Sequence, residues 1–179
     1  MTEKKRENTL RLEEATLDDV PALTETWFAA FKDDEVICRL WPDTPGVRAW
    51  WDEANWGDMR AKPLQRFVKV VDVSTVRTQT GTEGTDEGDE GGKEGERPRI
   101  AAWAKWDTNL DTLVTHPDYQ RRGAASMLLA WGCALADEDG VAAYVDASKA
   151  GAPLYERFGF VDESLEGDGE VASMVRRRR

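Results

Sequence analysis

An α/β fold, with a sheet of mixed strand direction and helices on both faces, is what this sequence predicts. Three observations carry that expectation. The elements follow the order β-α-α-β-β-β-α-β-α-β-β along the chain. Residues 123–137 place Ala124, Met127, Leu128, Trp131, Ala134 and Leu135 largely on one helical face. Residues 65–76 and 99–106 are β-branched or apolar stretches that read as the two strands of a hairpin.

The elements follow in order. Residues 10–16 form a short strand of mixed alternation. Asp18 then offers an N-cap, with Val20 and Pro21 in the first turn of a helix. Val20, Leu23, Trp27, Ala30 and Phe31 keep helical spacing to about Lys32. Residues 32–43 are irregular or briefly helical. A second helix runs from about Thr44 or Pro45 to Arg60, with Pro45 near its first position. Between the hairpin strands, residues 78–98 contain Gly, Thr and acids and no large apolar side chain. Such a stretch cannot bury enough surface to offset its ordering entropy, so it is expected to be a disordered loop. Residues 110–115 form a strand ended by His116-Pro117, and the 123–137 helix closes at Gly140. Residues 141–147 form a short internal strand. A short helix at 150–158 precedes Gly159. A terminal hairpin, 160–165 with 170–175, turns at Gly167-Asp168-Gly169. No internal repeat occurs.

At 179 residues the chain fits one domain, 1–179, with its core in 10–175 and a basic tail at 176–179. The net charge of -11 argues against general binding to nucleic acid, which needs a basic footprint. Seven acids lie within 83–96 against the single base Lys93, so much of that charge belongs to the acidic insertion. No apolar run approaches the length of a membrane span, and the polar first residues carry no secretory signal. A cytoplasmic protein is expected, with the nucleus left open. Two cysteines, Cys38 and Cys133, and one histidine, His116, give no metal-ligand spacing, so no metal is expected. There is no G-x-S-x-G elbow, Walker A motif or G-x-G-x-x-G fingerprint.

The informative unit is 113–132, LVTHPDYQRRGAASMLLAWG. A strand stops at Pro117, a polar turn follows, and Gln120-Arg121-Arg122-Gly123-Ala124-Ala125-Ser126 opens a helix. Small residues at 123–126 let backbone N–H groups approach a ligand closely. A helix N-terminus with unpaired N–H groups favours anions, and Arg121 and Arg122 add charge there. The expected chemistry is a phosphate or pyrophosphate cradle.

Gln120, Gly123 and Ala125, after a strand ending L-x-T-x-P, resemble motif A of the GNAT superfamily of acetyl-CoA-dependent N-acetyltransferases. Ala152-Pro153-Leu154-Tyr155-Glu156-Arg157-Phe158-Gly159-Phe160 resembles the family's motif B. The two motifs stand in the right order on strand, helix, strand and helix, and the resemblance spans about 10–175, including a flavour of uncharacterised fungal members. It implies the GNAT fold: a central, mixed, mostly antiparallel twisted sheet with helices on both faces. It implies acetyl-CoA as cosubstrate and no metal. The backbone at Val114 and Thr115 would bind the pantetheine arm like an added strand. The N–H groups from Arg122 through Ala124 and Ala125 to Ser126 would hold the pyrophosphate. Gln120 belongs to the same loop, and Arg121 or Arg122 would reach the 3′-phosphate. Ser148 stands where many members carry an Asn that contacts the cofactor. Tyr155 matches the frequent general acid that protonates the departing thiolate.

The implied reaction is direct attack by a neutral amine on the acetyl carbonyl in a ternary complex. Asp111 is the first candidate for the group that accepts the amine's proton, ahead of Asp146 and Glu25. The implied partner is a small-molecule or peptide amine, with no nucleic acid and no membrane, for a monomer or homodimer. A second class of function stays open: an inactive acyl-CoA-binding sensor or interaction protein of the same fold. A third is an unrelated α/β binder of phosphate ligands. Bland readings stand beside these. Tyr155 can be a packed aromatic, Asp111 a solvated strand carboxylate, His116 a turn residue and Cys133 a small core side chain. Of the eight tryptophans, Trp41, Trp50, Trp51 and Trp56 crowd one region and offer an aromatic wall for an acceptor, or plain core packing for at least half of them.

Overall fold

The computed structural model describes residues 9–75, 97–107, 109–165 and 171–178. Its elements are β1 (Leu10–Glu14), α1 (Val20–Phe31), α2 (Glu35–Leu40), α3 (Pro45–Ala61), β2 (Arg66–Asp72), β3 (Arg99–Trp106), β4 (Leu110–Thr115), α4 (Ala124–Glu138), β5 (Ala143–Ser148), α5 (Ala152–Glu156), β6 (Val161–Asp162) and β7 (Val171–Arg176). The 99–106 and 110–115 strands and the long helices lie within a residue or two of their expected places, whereas the strand expected at 65–76 ends at Asp72 and passes into a 3-10 turn, Val73–Thr75. The briefly helical stretch is α2. Most of the acidic insertion and the Gly167-Asp168-Gly169 turn lie outside the described residues.

Strands β1-β2-β3-β4 make one antiparallel sheet, and β5-β7-β6 make another. A single parallel bridge, Asn109 to Tyr144, joins them. The strand alternation sorts side chains to two cores. Val68 and Val70 of β2, with Ala102 and Ala104 of β3, meet Leu128 and Leu129 of α4, and the same core takes in Val145 of β5 and Met174 of β7. On the opposite face Phe67, Val71, Trp103 and Val114 pack with Leu23, Trp27 and Phe28 of α1. Helices thus lie on both faces of the first sheet, as expected.

Lys69 interrupts the apolar run of β2, and its ammonium reaches Asp19 Oδ1 at 2.7 Å. Asp18 does not cap α1: a 3-10 turn, Leu17–Asp19, leads into the helix, and Thr16 is the residue that caps that turn, with Asp19 as its third residue. Asp19 Oδ2 also accepts from the Thr16 N–H and hydroxyl, a capping box. Asp18 is exposed and faces Arg97 instead. A correction applies at the other end too. Arg176, read from sequence as the start of a solvated tail, is the last residue of β7 and 3% exposed. Its guanidinium grips both oxygens of Asp137 at 2.8 and 2.7 Å and donates to the Phe158 carbonyl. Gly140 closes α4 at φ +66, as its C-cap role requires.

Candidate functional site

Strands β4 and β5 run parallel, yet beyond the Asn109 bridge they form no ladder. His116 N–H donates to the Ala101 carbonyl. Antiparallel alternation then puts the N–H and C=O of Val114 in the β3 ladder, opposite Trp103. Leu113 and Thr115 point theirs the other way, toward β5. Of the two positions expected to bind an extended arm, Thr115 therefore presents free backbone groups and Val114 does not. Leu113 takes the place expected of Val114.

The chain leaves β4 through a short 3-10 turn, Pro117–Tyr119, and enters the candidate cradle. Arg121 sits at φ +61 and Gly123 at φ +92. Left-handed backbone at two nearby positions turns successive N–H groups to one side. Among the described residues, no hydrogen bond engages the N–H of Arg121, Arg122 or Gly123. The first N–H groups of α4, from Ala124 to Ser126, lack intrahelical partners by geometry. A Cβ at Gly123 would meet nothing within 4 Å, so conformation and not crowding demands glycine there. The donor set fits an anion such as a pyrophosphate.

The arginines divide. Arg122 turns back to Asp72, the last residue of β2, at 3.1 Å, and also reaches the Thr9 hydroxyl. Its guanidinium lies 4.7 Å from the ring centre of Tyr119, which Arg99 also approaches at 5.6 Å. Burial alone would raise the Asp72 pKa, but the hydroxyls of Ser74 and Thr9, the Ser74 N–H and Arg122 bring it down to about 2. The Arg122 side chain is thus committed within the fold, which leaves its backbone N–H for a ligand. Arg121 and Gln120 are exposed and enter no ion pair among the described residues.

Tyr155 lies in α5, beyond the end of β5. It is 8% exposed and packs edge-on against Phe160. Burial pushes its phenol up to about 12. Its hydroxyl makes no hydrogen bond with any described residue. Ser148 Oγ accepts from the Gly151 N–H at 3.1 Å and so ties the end of β5 to the start of α5.

Asp111 does not stand alone. Lys105 of β3 reaches its Oδ2 at 3.0 Å while also bonding Asp58 of α3. Burial would lower the Lys105 pKa, but these two carboxylates raise it, so the ammonium stays charged. Asp146, set behind Asp111 on sequence grounds, lies on β5 between Tyr144 and Ser148. Tyr144 and Ser173 both donate to its Oδ1, the latter at 2.9 Å. Oδ2 is unengaged by described residues. Alternation puts Ala143, Val145 and Ala147 in the core and Tyr144, Asp146 and Ser148 on the other face of β5. Glu25 is an exposed residue of α1. His116 sits beside Arg99 and Asp118, and burial together with Arg99 lowers its pKa.

The tryptophans share the work between core and wall. Trp103 and Trp106 are fully buried, and Trp51 packs 4.6 Å from Trp27. Trp56 donates to the Leu17 carbonyl. Trp41 stacks on Trp50, which is 54% exposed. Beside them Trp27, Phe28, Phe31, Ile37 and Trp41 line a cavity of about 130 Å³, with Lys32 at its edge. Asp72 and Tyr119 escaped the sequence reading. A charged residue ending a run as apolar as RFVKVVD was the available signal for Asp72. Among the described residues, no group of three His, Cys, Asp or Glu is placed to hold a metal, and no helix is long and apolar enough to cross a membrane.

Residues 93–162 match the family model described as an acetyltransferase (GNAT) domain. Solved structures similar to the whole chain include the PaiA N-acetyltransferase of Thermoplasma acidophilum in complex with coenzyme A. It is 13% identical, with 94% of this chain and 98% of that one covered and a TM-score of 0.63. A histone acetyltransferase HPA2 and related acetyltransferase from Corynebacterium glutamicum is 19% identical over 96% and 97% of the two chains, at 0.61. The ribosomal-protein-S18-alanine N-acetyltransferase of Escherichia coli is 16% identical over 93% and 90%, at 0.55. No curated protein matches the chain by sequence. The chain has the GNAT fold, and its 93–162 segment bears the family's sequence signature.

Proposed function

We propose that this chain is an N-acetyltransferase that moves an acetyl group from acetyl-CoA to a primary amine within a ternary complex. One observation carries the reading. The free edge of β4 runs directly into a loop of unengaged N–H groups, and a buried, unbonded phenol stands on α5 at the same end of the two strands.

Each part has a job in this scheme. Leu113 and Thr115 pair with the pantetheine amides as a missing strand would. The N–H groups of 121–126 take the pyrophosphate. The amine nitrogen attacks the acetyl carbonyl carbon, the C–N bond forms, the C–S bond breaks, and the nitrogen gives up one N–H proton to solvent. Tyr155 gives its proton to the departing sulfur and recovers one from solvent. With its pKa held near 12, the phenol is protonated at any physiological pH, as an acid must be. An amine near pKa 10 is neutral in only about one molecule in a thousand at pH 7, so a proton must be removed before attack. Asp111 would have to leave Lys105 to serve. Asp146 has an open oxygen on a sheet face that displays hydroxyls, and it fits that task better.

Calorimetric titration of acetyl-CoA tests the cofactor half, with an Arg122→Glu/Gly123→Glu double variant as the disabled cradle. Saturable binding lost in the variant is expected. No binding by the parent protein would overturn the reading and every role drawn from it. Binding without transfer to any amine tried would favour the inactive sensor.

A further inference from the structure

We infer that Arg157 is a side-chain cation of the phosphate cradle, supplied across the site by α5 and adding to the loop's own uncommitted Arg121. The inference rests on the proposed acetyl-CoA site and deepens it. Arg157 follows the last residue of α5 and is exposed. Its Nη2 donates to the Ser126 hydroxyl at 3.3 Å. Ser126 is the third residue of α4, so the guanidinium stands at the helix turn whose N–H groups are unfilled.

The contrast with the other arginines makes the case. Arg122 is committed to Asp72, Arg99 to Asp118 and Arg176 to Asp137. Arg157 has no carboxylate partner among the described residues, and one long bond to a neutral hydroxyl does not satisfy its five donors. A guanidinium placed beside a set of N–H donors, with only a hydroxyl to hold it, is poised to take a phosphate in a forked bond. The contact has a second consequence. Arg157 is two residues after Tyr155, so a phosphate bridging Arg157 and the α4 N-terminus would fix α5 against α4. Phosphate engagement would then help hold the phenol in place. Arg157 acts on the ligand directly and on the acid only as a positioning residue.

The test is calorimetry of CoA and of 3′-dephospho-CoA with the parent protein, Arg157→Gln, Arg157→Lys and Arg60→Gln. Arg60 is an exposed arginine in the last turn of α3 and serves as the charge control. Arg157→Gln should weaken CoA binding about tenfold, with Lys recovering part of the loss and Arg60→Gln matching the parent. A loss equal for both ligands assigns Arg157 to the pyrophosphate, and a loss confined to CoA assigns it to the 3′-phosphate; either supports the inference. Equal affinity of Arg157→Gln and the parent for CoA overturns it while the CoA site stands. A parent protein that binds neither ligand overturns the proposed function instead. Circular dichroism melts of all variants, expected to coincide, show that lost binding is not lost folding.

Discussion

Gly132 offers a test in which two effects of opposite sign compete. It lies inside α4, where glycine costs about 1 kcal/mol relative to alanine. Helix propensity alone therefore makes Gly132→Ala stabilising. Packing says otherwise. A Cβ at 132 would stand 2.7, 2.7 and 2.8 Å from three ring atoms of Trp106. Carbon atoms in contact sit at about 3.5–4.0 Å, so the ring or the helix must move by most of an ångström. Trp106 is 1% exposed within the main core and has nowhere to go. Overpacking of this kind costs about 1–3 kcal/mol, and against a fully buried indole the upper part of that range, about 2–3 kcal/mol, applies before the ~1 kcal/mol returned by propensity is subtracted. Gly132→Ala should then lose about 1–2 kcal/mol net, and Tm should fall by roughly 2–8 °C for a chain of this size. Gly57, inside α3, is the internal control, because a Cβ there meets nothing within 4 Å. Gly57→Ala should gain up to about 1 kcal/mol. Urea unfolding followed by tryptophan fluorescence reads both variants, with the midpoint moving and the slope unchanged. A Gly132→Ala protein as stable as its parent would refute the close approach of α4 to β3.

Tyr155→Phe should bind CoA normally and melt like the parent, because the hydroxyl has no partner to lose, yet transfer should drop at least tenfold. The raised phenol also has a sign: its folded pKa of about 12 lies above the unfolded 10, so the stability it carries is complete below pH 10 and is lost as pH rises toward 12. Asp72 works in the other direction. Its folded pKa of about 2 lies below 3.8, so its contribution is present above pH 4 and fades as pH falls toward 2. Acid unfolding of Asp72→Asn should be correspondingly flatter over that window, with CoA binding weakened because Arg122 loses its anchor. Asp137→Asn should cost about 3 kcal/mol by leaving the buried Arg176 cation without its forked partner, and chemical unfolding would read it. Asp146→Asn should slow transfer at saturating acetyl-CoA more than Asp111→Asn does, and the reverse order would return the proton-accepting role to Asp111.

Strands and long helices were legible because their signals are local. Alternation in β2, the apolar stripe of α4 and the glycine after it each need only a few neighbours in sequence. The strand, turn and helix start that form the proposed cradle were legible for the same reason, since they lie within twenty residues. What stayed hidden depends on pairs far apart in the chain. Lys69 and Asp19 are fifty positions apart, as are Arg122 and Asp72. No pattern in either segment names its partner, so neither the ion pair of Asp19 with Lys69 nor that of Asp72 with Arg122 can be read from the sequence. Arg176 was misjudged because four consecutive arginines look alike in sequence. Only the register of β7, in which Arg176 pairs with Ala143, turns the first of them inward.

The division among the arginines shows how the fold assigns chemistry to one residue type. Guanidinium is always charged, so its role is set by what faces it. Where a carboxylate is already present, as for Arg122 and Arg176, the charge is spent on holding elements together. Asp72 clamps the end of β2 to the cradle, and Asp137 clamps β7 to α4. A site for an anionic ligand needs the opposite condition: donors left without acceptors although the local geometry gathers them. The parting of β4 from β5 supplies that condition. It withholds a strand from the Leu113 and Thr115 edge and brings the starts of α4 and α5 to the same end. Closing the gap with a full β4–β5 ladder would satisfy those groups internally and remove the site. In the proposed function these unfilled hydrogen bonds are the part of the fold through which it acts.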